Sequence, residues 1–300
     1  MFDLVIIGAG PAGITAAVYA ARKRMNFMVI TDNIGGQAAW SGDIENYTGY
    51  QFVTGTELTD KFEQHMRNYD VQLKENEIVH EVKEDSGIIY IKTNKGVYEA
   101  KSVIIASGKR SRELGVPGEK EFKNKGLTYC ATCDGPLFAD RDVAVIGGGN
   151  SALDAALQLI KIARKIYIIN NSAELNGDAI LQQKVTQSAI VTALNSAQVL
   201  AVVGEKIVSG IKIKRQGYDQ QLSVQGIFVE IGLIPNSDFV LGVEKNELGE
   251  IKVNSRNETN IPGIFAAGDV TDVLEKQIII AAGEGSKATL SVFKYLSHQG

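Results

Sequence analysis

Apolar residues fall into short unbroken runs, each followed by a helical stretch, at two places in the chain. The first run, Leu4-Val5-Ile6-Ile7, suits a strand buried on both faces. A glycine turn follows, then a helix from Pro11 to about Arg24, then a second strand at Phe27-Met28-Val29-Ile30. Thr56 to Tyr69 reads as a helix. Residues 72–105 read as a β-meander, with turns at Asp85-Ser86-Gly87 and Asn94-Lys95-Gly96 and a final strand at Val103-Ile104-Ile105.

The pattern restarts near Asp140. Val143-Ala144-Val145-Ile146 is a strand, Gly147 to Gly149 a turn, Ser151 to about Lys161 a helix, and Lys165 to Ile169 the next strand. Short β segments run from Gln198 to Ile231. The chain leaves this second domain near Leu233-Ile234-Pro235. The tail, with Ile264-Phe265-Ala266 and a helix from about Gln277 to Leu296, is too small to fold alone. It completes the first domain, which makes the second an insertion. The fold class predicted is α/β: two Rossmann-like three-layer nucleotide-binding domains, the second inserted in the first. The boundaries are 1–112 plus 240–300 for one domain and 113–239 for the other.

Both turns carry dinucleotide fingerprints: Gly8-Ala9-Gly10-Pro11-Ala12-Gly13 and Gly147-Gly148-Gly149-Asn150-Ser151-Ala152. In the first, Gly8 permits the tight turn, Gly10 lets backbone approach a pyrophosphate, and Gly13 lets helix and strand pack closely. The helix N-terminus then stabilises phosphate charge. Gly35-Gly36-Gln37 follows the second strand and carries little weight by itself.

The chain's only two cysteines form Cys130-Ala131-Thr132-Cys133, followed by Asp134. Zinc takes four ligands, and His65, His80 and His298 are scattered, so no metal is expected. A thioredoxin-type domain puts such a pair after the first strand of a small α/β fold, which does not match. A redox pair serving a neighbouring flavin fits best, with thiolate as the reactive form and a mixed disulfide on the path. Asp134 reads either as a proton donor to a thiol or as a local cap.

Charge and composition narrow the setting. A net charge of −4 argues against a general nucleic-acid binder. No apolar run reaches the ~18 residues of a membrane span, and the N-terminus enters a strand at once, so a cytoplasmic location is expected.

With these motifs in order, the chain resembles the low-molecular-weight thioredoxin reductases over nearly all its length. The shared motifs are Gly8 to Gly13, Gly35-Gly36-Gln37, Glu45-Asn46-Tyr47, Ala106-Ser107-Gly108, Cys130 to Asp134, Gly147 to Ala152, Gly268-Asp269 and Gln277. The resemblance implies an FAD domain made from both chain ends, an inserted pyridine-nucleotide-like domain carrying the cysteines, thioredoxin as substrate, and a homodimer. It implies that FAD is held by Gly8, Gly10, Pro11, Ala12, Gly13, Gly35, Gly36, Gln37, Asn46, Ala106, Ser107, Gly108, Gly268, Asp269, Gln277 and Ile278. It also implies that Cys133 lies against the flavin, that Cys130 attacks the substrate, and that Asp134 is the acid.

One segment departs from that family. Where NADPH-dependent members carry a His-Arg-Arg run and a further arginine, this chain reads Asn170-Asn171-Ser172-Ala173-Glu174-Leu175-Asn176-Gly177-Asp178. No Lys or Arg lies between Lys165 and Lys184. A 2′-phosphate there loses charge-assisted hydrogen bonds of ~1.5–3 kcal/mol each. Losing two weakens binding on the order of a hundredfold or more. An NAD site would show an acidic residue at the strand end, and Asn170 offers at most one acceptor. This combination resembles the ferredoxin-dependent flavin thioredoxin reductases, which implies ferredoxin as electron donor and a basic face to meet it. Lys109-Arg110-Ser111-Arg112 is one candidate face. A conventional NAD(P)H-driven reductase, a thiol oxidase on the same fold and a flavin-bearing redox sensor are the alternatives.

Overall fold

The computed structural model describes residues 1–40, 43–44 and 46–298, without the side chains of Trp40, Asp43, Thr132 and Cys133. Glu45 of the Glu45-Asn46-Tyr47 motif and the side chain of Cys133 thus lie outside the described residues. The chain divides into two compact units, residues 1–110 with 234–300 and residues 111–233. Residues 234–239 are held in the first unit by Asn236, whose Nδ2 donates to the Ser107 carbonyl at 2.8 Å and whose backbone N donates to the Gly108 carbonyl at 2.9 Å.

The first unit is built on a five-stranded sheet. Its order is Ile264–Ala266, Val103–Ile105, Leu4–Ala9, Phe27–Ile34, Gln72–Lys74, and every neighbouring pair is parallel. This explains the unbroken apolar runs: parallel strands are covered on both faces. Leu4, Ile6 and Phe265 pack under helices Pro11–Arg22 and Ile278–Ser297. Val5, Ile7, Met28 and Ile30 face the other way, onto Val82, Ile89 and Ile91 of a three-stranded antiparallel sheet.

The meander expected over 72–105 is therefore shorter than its alternation suggested. Only Val79–Asp85, Ile88–Thr93 and Val97–Ala100 pair antiparallel. Gln72–Lys74 follows the helix Gly55–Arg67, so it returns by a crossover and pairs parallel with Phe27–Ile34.

The second unit repeats the plan. Its parallel sheet runs Leu127–Thr128, Gly226–Val229, Asp142–Ile146, Lys165–Ile169, Val191–Leu194. Val143 and Val145 pack against Leu153 and Ala156 of the helix Asn150–Leu159. Ala144 and Ile146 pack on the other side with Ile211 and Ile213, from the three-stranded antiparallel sheet of residues 197–222. Both units are thus three-layered, helices over parallel sheet over antiparallel sheet. Among the described residues, no helix is long and apolar enough to cross a membrane.

Candidate active site

In the first unit, Gly8 has φ +103°, and a Cβ at Gly13 would fall 1.8 Å from the Gly8 carbonyl oxygen. Only glycine allows the helix to start this close to the turn. Above Gly10 the situation is the opposite: a Cβ there would come no nearer than 4.0 Å to the Gly35 carbonyl oxygen. That space is open. Pro11 starts the helix, Gly10 provides no side-chain cap, and the first turn has no acidic residue. Orphan N–H groups therefore face an open cradle, which is how a pyrophosphate is bound.

The other expected cofactor residues gather around this turn. Gly268 lies against Ala12, its would-be Cβ 3.0 Å from the Ala12 Cβ. Gly36 lies close beside Gly10, its would-be Cβ 3.3 Å from the Gly10 Cα. Ala106 continues the strand beside Gly8, its N–H donating to the Ile7 carbonyl at 2.8 Å. Gln37 donates from Nε2 to the Lys109 carbonyl at 2.6 Å, just past Ser107 and Gly108. Asn46 donates from Nδ2 to Gln277 Oε1 at 3.0 Å, and Gln277 is the N-cap before Ile278. Asp269 is half-buried and makes no hydrogen bond through its carboxylate among the described residues. Burial pushes its pKa up, and Lys276 and Lys109 only partly oppose this. A carboxylate with no hydrogen-bond partner among the described residues, beside an open phosphate cradle, suits a ligand with hydroxyl groups, so these residues fit a flavin dinucleotide.

Lys109 is not the free cation its neighbours in sequence suggested. Its Nζ lies 2.7 Å from Glu250 Oε1, and its side chain is 10% exposed. Lys276 joins the same carboxylate at 3.1 Å. Burial alone would raise the Glu250 pKa, but hydrogen bonds from Lys109, Asn246 and Lys276 outweigh it and hold the group at about 2. Arg110 donates to Asn236 Oδ1 at 2.8 Å. The expected basic face thus loses its first member to an internal ion pair.

In the second unit, Cys130 is half-buried and disulfide-bonded. It precedes the single-turn helix Ala131–Asp134. Thr128 ties this segment together. Its hydroxyl donates to the Asp134 carboxylate, and its oxygen accepts the Cys130 N–H at 3.2 Å. The Asp134 N–H donates to the Cys130 carbonyl at 3.2 Å. Just upstream, the Tyr129 hydroxyl donates to Glu119 at 2.8 Å. Glu119 in turn accepts the N–H groups of Leu114 and Gly115.

The sequence motifs do not single out Glu230. It comes directly after the strand Gly226–Val229, and its carboxylate accepts the Ala131 N–H. Burial raises its pKa to about 7, the Ala131 hydrogen bond opposes this, and the charge of Asp154 adds to it. The available signal was one acidic residue inside the apolar run Ile227-Phe228-Val229-Glu230-Ile231.

The second fingerprint departs from the first just beyond its second strand. The Asn170 amide packs on Gly148, where a Cβ would lie 2.5 Å from Asn170 Oδ1. Its Nδ2 donates to the Glu174 carbonyl at 2.8 Å, Asn195 Oδ1 at 3.1 Å and the Ser172 carbonyl at 3.3 Å. Its Oδ1 accepts the Ser172 N–H at 3.1 Å. At 2% exposure it is out of reach of a ribose. The single acceptor expected of Asn170 is therefore already used inside the loop.

A three-layered repeat of parallel sheets, with a phosphate cradle in one unit and a disulfide in the other, is the build of a flavin disulfide oxidoreductase. Residues 2–285 match the family model described as pyridine nucleotide-disulphide oxidoreductase, and the chain belongs to that family. FAD is the cofactor. The chain is 41% identical over 298 residues to an NADH dehydrogenase of Ferdinandcohnia aciditolerans, covering 98% of this chain and 57% of that protein. It is 41% identical over 299 residues to a component of the alkyl hydroperoxide reductase of Staphylococcus epidermidis, covering 98% and 59%. It thus spans less than three fifths of the length of these curated relatives. Among solved structures it is similar to Lactococcus lactis thioredoxin reductase, with a TM-score of 0.81, 34% identity, and 99% and 100% of the two chains covered. It is also similar to a ferredoxin-flavin thioredoxin reductase from Clostridium acetobutylicum, with a TM-score of 0.55, 30% identity, and 99% and 98% covered. The fold is of the thioredoxin reductase type.

Proposed function

We propose that this chain is an FAD-dependent thioredoxin reductase whose electron donor is ferredoxin rather than NADPH or NADH. FAD, once bound and reduced by the donor, would supply the two electrons that reduce a disulfide between Cys130 and Cys133. Cys130 then attacks the thioredoxin disulfide, and the mixed disulfide resolves by attack of Cys133. Asp134, held by Thr128, delivers and recovers the thiol proton. In the first unit, the open cradle over Gly10 and the Asp269 carboxylate hold the cofactor. A homodimer is proposed on the family resemblance.

The observation that carries the donor assignment is the state of Asn170. A buried amide spent on its own loop offers neither an acidic acceptor for an NAD ribose nor a cation for a 2′-phosphate. The charged groups of the loop, Glu174 and Asp178, are both exposed and acidic, and they repel phosphate. The Clostridium acetobutylicum ferredoxin-flavin enzyme is one similar structure, at a TM-score of 0.55 against 0.81 for the Lactococcus lactis reductase, so the donor assignment rests on Asn170 and not on structural likeness. The relative named NADH dehydrogenase favours a second reading, NADH as donor. Anaerobic thioredoxin reduction by the FAD-loaded protein, with NADPH, NADH and reduced ferredoxin compared, separates the two. Turnover with ferredoxin alone is expected.

A further inference from the structure

The strand Gly226–Val229 lies between two strands that lead into chemistry. On one side Leu127–Thr128 leads to Cys130, and on the other Asp142–Ile146 leads to the second glycine turn. Glu230 therefore emerges at the carboxyl end of the sheet, where α/β sites form. Its backbone is fixed: its N–H donates to the Ile146 carbonyl at 2.8 Å, and a Cβ on Gly147 would fall 2.2 Å from its carbonyl oxygen. The parallel register Leu127↔Ile227 and Thr128↔Phe228 leaves Cys130 and Glu230 each two residues past a paired position, and the Ala131 N–H acts on the Glu230 carboxylate as a hydrogen-bond donor. Covalent geometry keeps Cys130 Sγ within ~4.5 Å of that nitrogen, and the hydrogen bond adds ~3 Å. The carboxylate and the sulfur are thus no more than about 8 Å apart.

We propose that Glu230 is a positioning residue that stores a proton for the dithiol, taking it up when the Cys130 disulfide is reduced and returning it when the disulfide re-forms. This rests on reading Cys130 and Cys133 as a redox pair. In the step, the S–S bond breaks and two electrons enter from reduced flavin. Two protons enter from solvent. One thiol, one thiolate and the Glu230 carboxylic acid result. The new thiolate and a Glu230 carboxylate would repel each other, and protonating the carboxylate removes that repulsion.

The groups that face Glu230 allow this. Asp154, on the helix Asn150–Leu159, is the other carboxylate acting on it and favours its neutral form. Asp134 lies on the dithiol helix, engaged with Thr128. Among the described residues, no cation acts on Glu230 to hold it ionised. Its pKa of about 7 leaves it ready to change state near neutrality. Coulomb repulsion over this distance raises that value further once the pair is reduced, which opens a pH window above about 7 in which reduction takes up an extra proton.

The test uses the full-length FAD protein and its Glu230→Gln variant, equilibrated with mixtures of oxidised and reduced dithiothreitol across the range of about pH 6 to 9. Alkylation and mass spectrometry then report the reduced fraction. Glutamine keeps an acceptor for the Ala131 N–H but cannot titrate. The reduction equilibrium of the wild type should fall more steeply with rising pH than that of the variant, by on the order of tenfold in total. A reduced-minus-oxidised infrared difference spectrum should also show a carboxylic-acid C=O band that Glu230→Gln lacks. Parallel pH curves, or no such band, would overturn the proposal and leave Glu230 a structural acceptor. Failure of the pair to exchange with dithiothreitol at all would overturn the redox reading beneath it as well.

Discussion

The Thr128 hydroxyl donates to the Asp134 carboxylate while its oxygen accepts the Cys130 N–H at 3.2 Å. One side chain thus fixes both the acid and the cysteine backbone. Asp134→Asn should slow disulfide reduction by roughly 10²–10⁴-fold with FAD retained, as expected for loss of a general acid–base group. Thr128→Val should slow it less, because the carboxylate survives and only its placement loosens. Steady-state rates at matched flavin content check both. Unchanged turnover in Asp134→Asn would reduce that residue to a cap.

The two cysteines should have separable roles. Cys133→Ser should accumulate a mixed disulfide between Cys130 and thioredoxin, because the resolving thiol is gone. Cys130→Ser should not. Non-reducing electrophoresis reads the adduct directly, and trapping only in Cys130→Ser would reverse the assignment.

Gly13 has no room for a side chain. Gly13→Ala puts a methyl 1.8 Å from the Gly8 carbonyl oxygen as the backbone now stands, so the helix must move off the turn. Overpacking of this kind costs about 1–3 kcal/mol or more. The expected result is a lower melting temperature together with loss of bound flavin.

The Lys109–Glu250–Lys276 cluster should be visible in acid. A carboxylate held at about 2 contributes stability above its ordinary pKa of 4.5 and loses it as pH falls towards 2. Melting curves of the wild type should drop across that window. Glu250→Gln should already be destabilised at neutral pH, by about 3 kcal/mol, because it leaves two partly buried ammonium groups uncompensated. The gap between the two proteins should close as the medium is acidified.

Restoring positive charge to the 170–178 loop should change the donor preference. Asn171, Ser172 and Asn176 stand where the NADPH-dependent family carries arginine, and Asn171 and Ser172 are exposed. Replacing all three by Arg should tighten NADPH binding by on the order of a hundredfold, while NADH gains little. Equilibrium titration with each nucleotide gives the ratio.

Much of the fold was legible because parallel strands advertise themselves as apolar runs before glycine turns. The strands before Gly8 and Gly147 are read from such patterns alone, whereas the two-residue strand Leu127–Thr128 before Cys130 is too short to show one. What stayed hidden depended on partners distant in sequence. Lys109 reads as one of a basic cluster, but its counter-ion is Glu250, 141 positions away. Gln72–Lys74 alternates like a meander strand, yet the helix before it dictates a parallel return. The helix Ala179–Thr186 buries only Val185, so it carries no apolar stripe to read. Asn170 reads in sequence as a weakened ribose contact, but its amide is used by its own loop, donating to the Glu174 carbonyl and accepting the Ser172 N–H.

Which donor reduces the bound flavin decides between a ferredoxin-driven and a nucleotide-driven enzyme. The measurement is anaerobic stopped-flow absorbance of the FAD-loaded protein mixed separately with NADPH, NADH and reduced ferredoxin. Ferredoxin should bleach the flavin rapidly, and neither nucleotide should do so on the timescale of thioredoxin turnover. Rapid bleaching by NADPH or NADH at micromolar concentration would contradict the donor assignment and make this a conventional nucleotide-driven reductase.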